Sequence, residues 1–136
     1  SNHIEKHKTC FIIEALSRTE TDYIYSVLHS LEIVNKVNRN ELQVHLDAKA
    51  IIDSSETKID IFRKIKSKLK HVHINDIHLG ILTDTGIIDH KLISQLLKDI
   101  NYNNYISLEQ RLMDLNKPLE SIRDSYKIIE TYYRDE

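Results

Sequence analysis

The 136-residue chain contains little cysteine, proline or glycine, and each shortage excludes a class of protein. The single cysteine, Cys10, rules out a disulfide within the chain and is typical of a reducing compartment, so we predict a cytoplasmic protein. With one proline and two glycines, long flexible linkers are not expected. We therefore predict one domain over residues 1–136.

Charge and hydropathy exclude two further classes. The formal net charge of −2 gives no electrostatic attraction to nucleic acid or to a membrane surface. No apolar run approaches the roughly 20 residues that a membrane-spanning helix needs. The polar N-terminus shows no signal peptide, and the chain enters its first apolar run almost at once without an initiator Met. We expect a fragment of a longer protein.

Four short apolar runs are present instead, each close to a residue that can bind a metal. These residues are Glu14, Asp47, His73 and Glu109, so the gaps between them are 33, 26 and 36 residues. A strand with its return helix in a (β/α) barrel takes about thirty residues, since eight units take roughly 250. The spacing predicts that the carboxyl ends of four parallel strands bring these side chains to one rim.

Helical periodicity fills the gaps between the apolar runs. The alternation favours an α/β fold with right-handed crossovers: four β/α units, half of a (β/α)8 TIM barrel, with parallel strands and helices on the outer face. The predicted strands are Cys10–Leu16, Leu42–Asp47, His71–Asn75 and Tyr105–Glu109, and the predicted helices begin near Thr21, Thr57, His90 and Pro118 and end near Asn38, Leu69, Ile100 and Tyr133.

Half a barrel leaves two unpaired strand edges, which proteins usually cover. We therefore predict that the chain associates with a second half-barrel or forms a homo-oligomer. Within the third strand, we assign His71 to the side facing the helices, opposite His73.

Five stretches occur in a fixed order and together resemble one family. They are Glu14–Asp22, His45–Asp47, Lys70–Ile74, Thr85–Asp89 and Asn101–Glu109. The set resembles the C-terminal half of the xylose-isomerase-like TIM barrels, the sugar phosphate isomerase/epimerase family, and is most similar to its ketose 3-epimerases.

The resemblance implies a metal-dependent isomerase or epimerase acting on a sugar or sugar phosphate through an enediolate. It implies that Glu14, Asp47, His73 and Glu109 hold one divalent metal ion. Three carboxylates and one imidazole suit Mn²⁺, Mg²⁺ or Co²⁺, and Zn²⁺ less well. The two glutamates would also be catalytic, one as general base and the other as general acid. Glu20 matches a residue that contacts substrate in the family.

Two positions depart from the family pattern. Ala50 stands where the family usually has a substrate-binding His, and Leu79 stands where it often has a substrate-binding Arg. Their loss weakens the case for ketose 3-epimerisation in particular. Candidate substitutes for the lost side chains are Lys49, His78 and Arg111.

Other interpretations stay open at this stage. The chain could be a non-catalytic half-barrel that keeps the rim without turnover, which the two departures favour. The stretch His73-Ile74-Asn75-Asp76 is also similar to one in endonuclease-four-type metal hydrolases, although Ala50 and the lack of a basic stripe argue against that class. Asp76 could orient His73 from behind through a hydrogen bond or simply begin a loop.

Overall fold

Four parallel strands form one sheet in the computed structural model, which describes Ile4 and residues 7–134. Their order is β1-β2-β3-β4, and each neighbouring pair is parallel, which confirms the predicted strand order. The elements are β1 Phe11–Glu14, α1 Val27–Val37, β2 Leu42–Asp47, α2 Ala48–Asp53, α3 Ile59–Ile65, β3 Leu69–Ile74, a 3₁₀ helix Ile77–Leu79, α4 His90–Asp99, β4 Tyr105–Leu108 and α5 Pro118–Tyr132.

One face of the sheet packs against the helices and holds the hydrophobic core. Val44 and Leu46 of β2 and Val72 and Ile74 of β3 are fully buried there. Burial of one such side chain contributes about 1.5–3 kcal/mol. The helices supply the other side of this core through residues that include Val34, Phe62, Ile65, Ile93 and Leu97.

The other face of the sheet is polar, and it corrects our assignment of His71. Side chains alternate along a strand, so residues two apart share a face. His71 and His73 therefore lie on the same side of β3, with ring centroids 5.3 Å apart, while Val72 between them enters the core. The prediction that His71 faces the helices was wrong.

Helix α1 begins later than predicted because the groups that cap it, Ser26 and Glu56, both lie after Thr21 in the chain. We placed its start near Thr21, but the backbone turns at Ser17 and the helix begins at Val27. Ser26 caps it, and the buried Glu56 carboxylate accepts hydrogen bonds from the Val27 and Leu28 backbone N–H groups at 2.8 and 3.1 Å. A carboxylate there also matches the positive end of the helix dipole.

The segment between β2 and β3 differs most from the prediction. A short helix, α2, follows β2 directly, because the Asp47 carboxylate accepts a hydrogen bond from the Ala50 N–H. The helix predicted from Thr57 to Leu69 is shorter in the structure, where α3 spans Ile59–Ile65. Strand β3 begins at Leu69, which pairs with Val44 before an irregularity shifts the register.

The remaining bounds shift by only one or two residues. Strand β1 is shorter than predicted at both ends, α4 ends at Asp99, β4 ends at Leu108 and α5 ends at Tyr132. Among the residues that the structure describes, α5 is the longest helix at 15 residues, and no helix there is long and apolar enough to cross a membrane.

Candidate metal centre

The four side chains predicted to meet at one rim do meet. Glu14 ends β1, Asp47 ends β2, His73 lies one residue before the end of β3, and Glu109 directly follows β4. Asp47 pairs with His73 in the sheet, and the Glu109 N–H donates to the Ile74 carbonyl at 3.0 Å. Each of the four residues offers one ligand atom, and these four atoms all lie within 4.8 Å of one another.

Asn75 holds two of these carboxylates in place. Its side-chain nitrogen donates to Asp47 Oδ2 at 2.5 Å and to Glu109 Oε2 at 2.9 Å. Its oxygen accepts from the Lys49 backbone N–H at 2.9 Å, and the residue is fully buried. A buried amide with three such partners is well satisfied, so it fixes the distance between the two carboxylates.

His73 and Glu14 form the charged contact of the cluster. Nδ1 of His73 lies 3.2 Å from Glu14 Oε1 and 3.8 Å from Glu109 Oε2. The side-chain contact with Glu14 raises the pKa of His73, and the same contact lowers the pKa of Glu14. Nevertheless Nδ1 makes no hydrogen bond of good geometry and is buried. A buried ring nitrogen facing carboxylate oxygens without a bond of its own is a position that a cation fits.

Asp47 is the least accessible member of the cluster. It is 3% exposed, and burial raises the pKa of its carboxyl to about 6. The hydrogen bonds from Ala50 and Asn75 act in the opposite direction and favour the ionised form. A divalent cation would supply the positive charge that this buried carboxylate lacks.

The donor set therefore fits a divalent cation. Glu14, Asp47 and Glu109 supply oxygen and His73 supplies nitrogen, which suits Mn²⁺, Mg²⁺ or Co²⁺. Asn75 gives the two carboxylates the outer hydrogen bonds that protein metal sites commonly have. The side chains of Glu14 and Glu109 are 31% and 39% exposed, so they can also reach a bound molecule.

Glu20 lines a cavity of about 290 Å³ together with Lys49, whose backbone N–H binds Asn75. Its carboxylate accepts from Ser17 Oγ at 2.9 Å and lies 2.8 Å from Lys49 Nζ. The hydrogen bond from Lys49 lowers the pKa of Glu20. His78 and Arg111, the other two candidate substitutes for the missing His and Arg, line the same cavity.

The two positions that depart from the family pattern lie in the same region. Ala50 is 1% exposed and its N–H is bound to Asp47, so it presents no functional group. Leu79 lines the cavity, and both it and His78 have positive φ, at 57° and 61°. Non-glycine residues rarely adopt this conformation, and such residues cluster at functional sites.

Asp76 lies next to the cluster but contacts other groups. Its Oδ1 accepts from the Ile77 N–H at 2.6 Å, and its Oδ2 occupies space beside Gly86. Within the described residues no hydrogen bond joins it to His73. The residue that supports the cluster is Asn75, which we did not single out. The alternation of side chains along a strand could have identified Asn75, because a residue two positions after His73 shares its face.

Comparison with known proteins places the chain in a family. Residues 1–132 match the family model described as xylose isomerase-like TIM barrel. A curated L-ribulose 3-epimerase from Methylomonas sp. (strain DH-1) is 27% identical over 106 residues, which cover 78% of this chain and 37% of that protein.

Two solved structures show the same fold over about half of their length. The D-psicose 3-epimerase from Clostridium cellulolyticum H10, solved with D-tagatose, matches with a TM-score of 0.80 and 19% identity over 92% of this chain and 50% of that one. The 3-keto-D-glucoside 4-epimerase from E. coli matches with a TM-score of 0.81 and 21% identity over 96% of this chain and 49% of that one. The four strands are therefore half of a TIM barrel, and the chain belongs to the xylose isomerase-like TIM barrel family.

Proposed function

We propose that this chain is the metal-binding half of a sugar or sugar-phosphate isomerase or epimerase that works by proton abstraction through an enediolate. One observation carries the proposal: the cluster of Glu14, Asp47, His73 and Glu109 at the carboxyl ends of four neighbouring parallel strands. This end of the strands is where TIM-barrel enzymes have their active sites. The epimerase names of the relatives support the reaction class.

The exposure of the carboxylates supports a division of roles. Asp47 is almost fully buried and held by hydrogen bonds, which suits a residue that only binds metal. Glu14 and Glu109 are partly exposed and come from the two outer strands, so they could flank a substrate carbon. One would remove a proton as general base and the other would return a proton as general acid.

The cation assigned to this cluster is Mn²⁺, Mg²⁺ or Co²⁺, with Zn²⁺ as a less favoured choice. When bound, it would act as a Lewis acid that polarises substrate oxygens and stabilises negative charge. Glu20, with Lys49 against its carboxylate, would contact the substrate in the adjoining cavity. Asn75 would keep Asp47 and Glu109 oriented throughout.

Activity would need a second half-barrel. The chain spans about half the length of the solved relatives and 37% of the curated relative that it matches. Phe11 on β1 and Tyr105 on β4 are 65% and 82% exposed, which supports the proposal that another half-barrel, from the same protein or from a second copy, covers these edge strands.

We also propose a cytoplasmic location, on the basis of the single unpaired Cys10.

The test is deuterium wash-in from heavy water with the complete, Mn²⁺-loaded barrel and a panel of ketoses and their phosphates. We expect exchange at one carbon-bound position. Glu109→Gln should reduce the exchange rate by about 10²–10⁴, because loss of a general acid or base typically has that effect. Glu120→Gln on the surface of α5 is the matched control, since its side chain is 60% exposed. A metal-loaded barrel that exchanges no hydrogen on any of these sugars would contradict the proposal.

A non-catalytic half-barrel is the second candidate, and the departures at Ala50 and Leu79 favour it. Such a protein would bind the cation and yet fail the exchange assay. The endonuclease-four-type alternative rests on the His73-Ile74-Asn75-Asp76 stretch alone. Ala50, which offers no imidazole, and the net charge of −2 argue against it.

A further inference from the structure

We propose that His45, His71 and His73 form a second cation site, which takes a borderline transition metal such as Zn²⁺ or Ni²⁺. The three histidines lie side by side on the polar face of the sheet. His45 pairs with His71 across β2 and β3, and His73 follows two residues later on the same face. One ring nitrogen from each lies within 4.8 Å of the other two.

The rings are arranged edge to face and do not stack. Ring centroids lie 4.1 Å apart for His45 and His73, 5.2 Å for His45 and His71, and 5.3 Å for His71 and His73. The planes cross at 77–85°. Small side-chain rotations can therefore direct one nitrogen of each ring to a common point, at the metal–nitrogen distance of about 2.0–2.1 Å that Zn²⁺ prefers.

The ring nitrogens of this histidine cluster are short of partners. His45 is 3% exposed, and its Nε2 has no hydrogen bond partner. A buried ring nitrogen without a partner is unfavourable, and a metal ion would supply one. Within the described part of the chain, the side chain of His71 also forms no hydrogen bond. It lines a cavity of about 650 Å³, through which an ion could reach the cluster.

The donor chemistry distinguishes this site from the carboxylate-rich centre beside it. Imidazole suits Zn²⁺ and Ni²⁺, whereas carboxylate suits Mg²⁺ and Mn²⁺. Three histidines with an open fourth position are an arrangement that Zn²⁺ adopts in proteins. Because His73 belongs to both sets, a borderline metal in the histidine cluster would alter Mn²⁺ binding at the first centre. The inference does not depend on the proposed isomerase activity.

The test is metal binding by the full-length protein without a histidine tag, measured by titration calorimetry with Mn²⁺ and with Zn²⁺. We expect one Mn²⁺ per chain, and one Zn²⁺ that competes with it, because both sites need His73. His71→Leu should weaken Zn²⁺ binding by about 10–100-fold or more, since even the loss of an outer hydrogen bond at a metal site has that effect. The same variant should leave Mn²⁺ affinity within about twofold, because His71 is not a ligand of the first centre.

Three comparisons make the result decisive. His29→Leu is the matched control, since His29 lies on α1 against Tyr23, away from the cluster. Glu109→Gln should weaken Mn²⁺ and spare the histidine site. If His71→Leu fails to fold, pulsed EPR of Cu²⁺ bound to the unmodified protein can count the coordinated imidazoles, and three are expected. Zn²⁺ binding unchanged in His71→Leu, or one coordinated imidazole only, would overturn the second site. Absence of Mn²⁺ binding would instead count against the proposed isomerase.

Discussion

The buried carboxylate of Asp47 should reduce the stability of the metal-free protein at neutral pH, and Asp47→Asn should reveal the effect. The folded-state pKa of about 6 is higher than the ordinary value of 3.8, because burial disfavours the charged form. Between these two values the folded chain binds more protons than the unfolded chain, so the free energy of unfolding falls as pH rises. The loss is complete above about pH 7 and absent below about pH 3.

The magnitude follows from the size of this difference in pKa. A shift from 3.8 to about 6 corresponds to about 3 kcal/mol, at 1.36 kcal/mol for each pH unit. The amide introduced by Asp47→Asn does not titrate, so the pH dependence of the variant should lack this contribution. The variant would also leave one of two donors, the Ala50 N–H or the Asn75 amide, facing an N–H group, but that cost is independent of pH. The difference in unfolding free energy between variant and wild type should therefore rise by about 3 kcal/mol from about pH 3 to about pH 7.

The assay is urea unfolding of the metal-free protein at several pH values, with Asp60→Asn as the control because that side chain is 80% exposed. Addition of Mn²⁺ should then stabilise the wild type by mass action and leave Asp47→Asn nearly unaffected. A difference between Asp47→Asn and wild type that stays constant with pH would refute the argument that burial raises this pKa.

Three further predictions concern residues around the centre. Asn75→Leu should weaken Mn²⁺ binding by about 10–100-fold, because it removes the hydrogen bonds that orient two ligands; unchanged affinity in calorimetry would contradict this. Glu56→Ala should lower the free energy of unfolding by about 2–4 kcal/mol through loss of the α1 cap, without changing Mn²⁺ affinity; thermal unfolding and calorimetry test the two parts. Lys49→Met should raise the pKa of Glu20 toward its ordinary value, since the hydrogen bond from Lys49 is the main cause of the lowered pKa. NMR titration measures this pKa, and the same value in the variant and the wild type would exclude Lys49 as the cause.

The sequence was sufficient to predict the strand order and the residues that meet at the rim. Apolar runs repeated at barrel spacing predicted four parallel strands, and the structure confirms them. Parallel strands align their carboxyl ends, so residues at those ends, such as Asp47 and His73, lie close together whatever the details of the helices. The family resemblance, confirmed over residues 1–132, rests on the same ordered motifs.

Boundaries and supporting contacts depended on groups that are distant in the sequence. The start of α1 is set by Glu56, about thirty residues beyond the helix N-terminus, and local propensity near Thr21 contains no trace of that contact. Helix α2 forms because the same Asp47 carboxylate that faces the centre also caps the helix, a dual role that spacing does not reveal.

The contacts on the polar face were also decided by the tertiary structure. Correct alternation would have placed His71 and Asn75 on the face of His73, but only strand pairing brings His45 against His71 and Asn75 between two carboxylates. Local sequence fixes which way a side chain points from its own strand. The register between strands fixes what it meets there, because hydrogen bonding between neighbouring backbones sets which residues lie side by side.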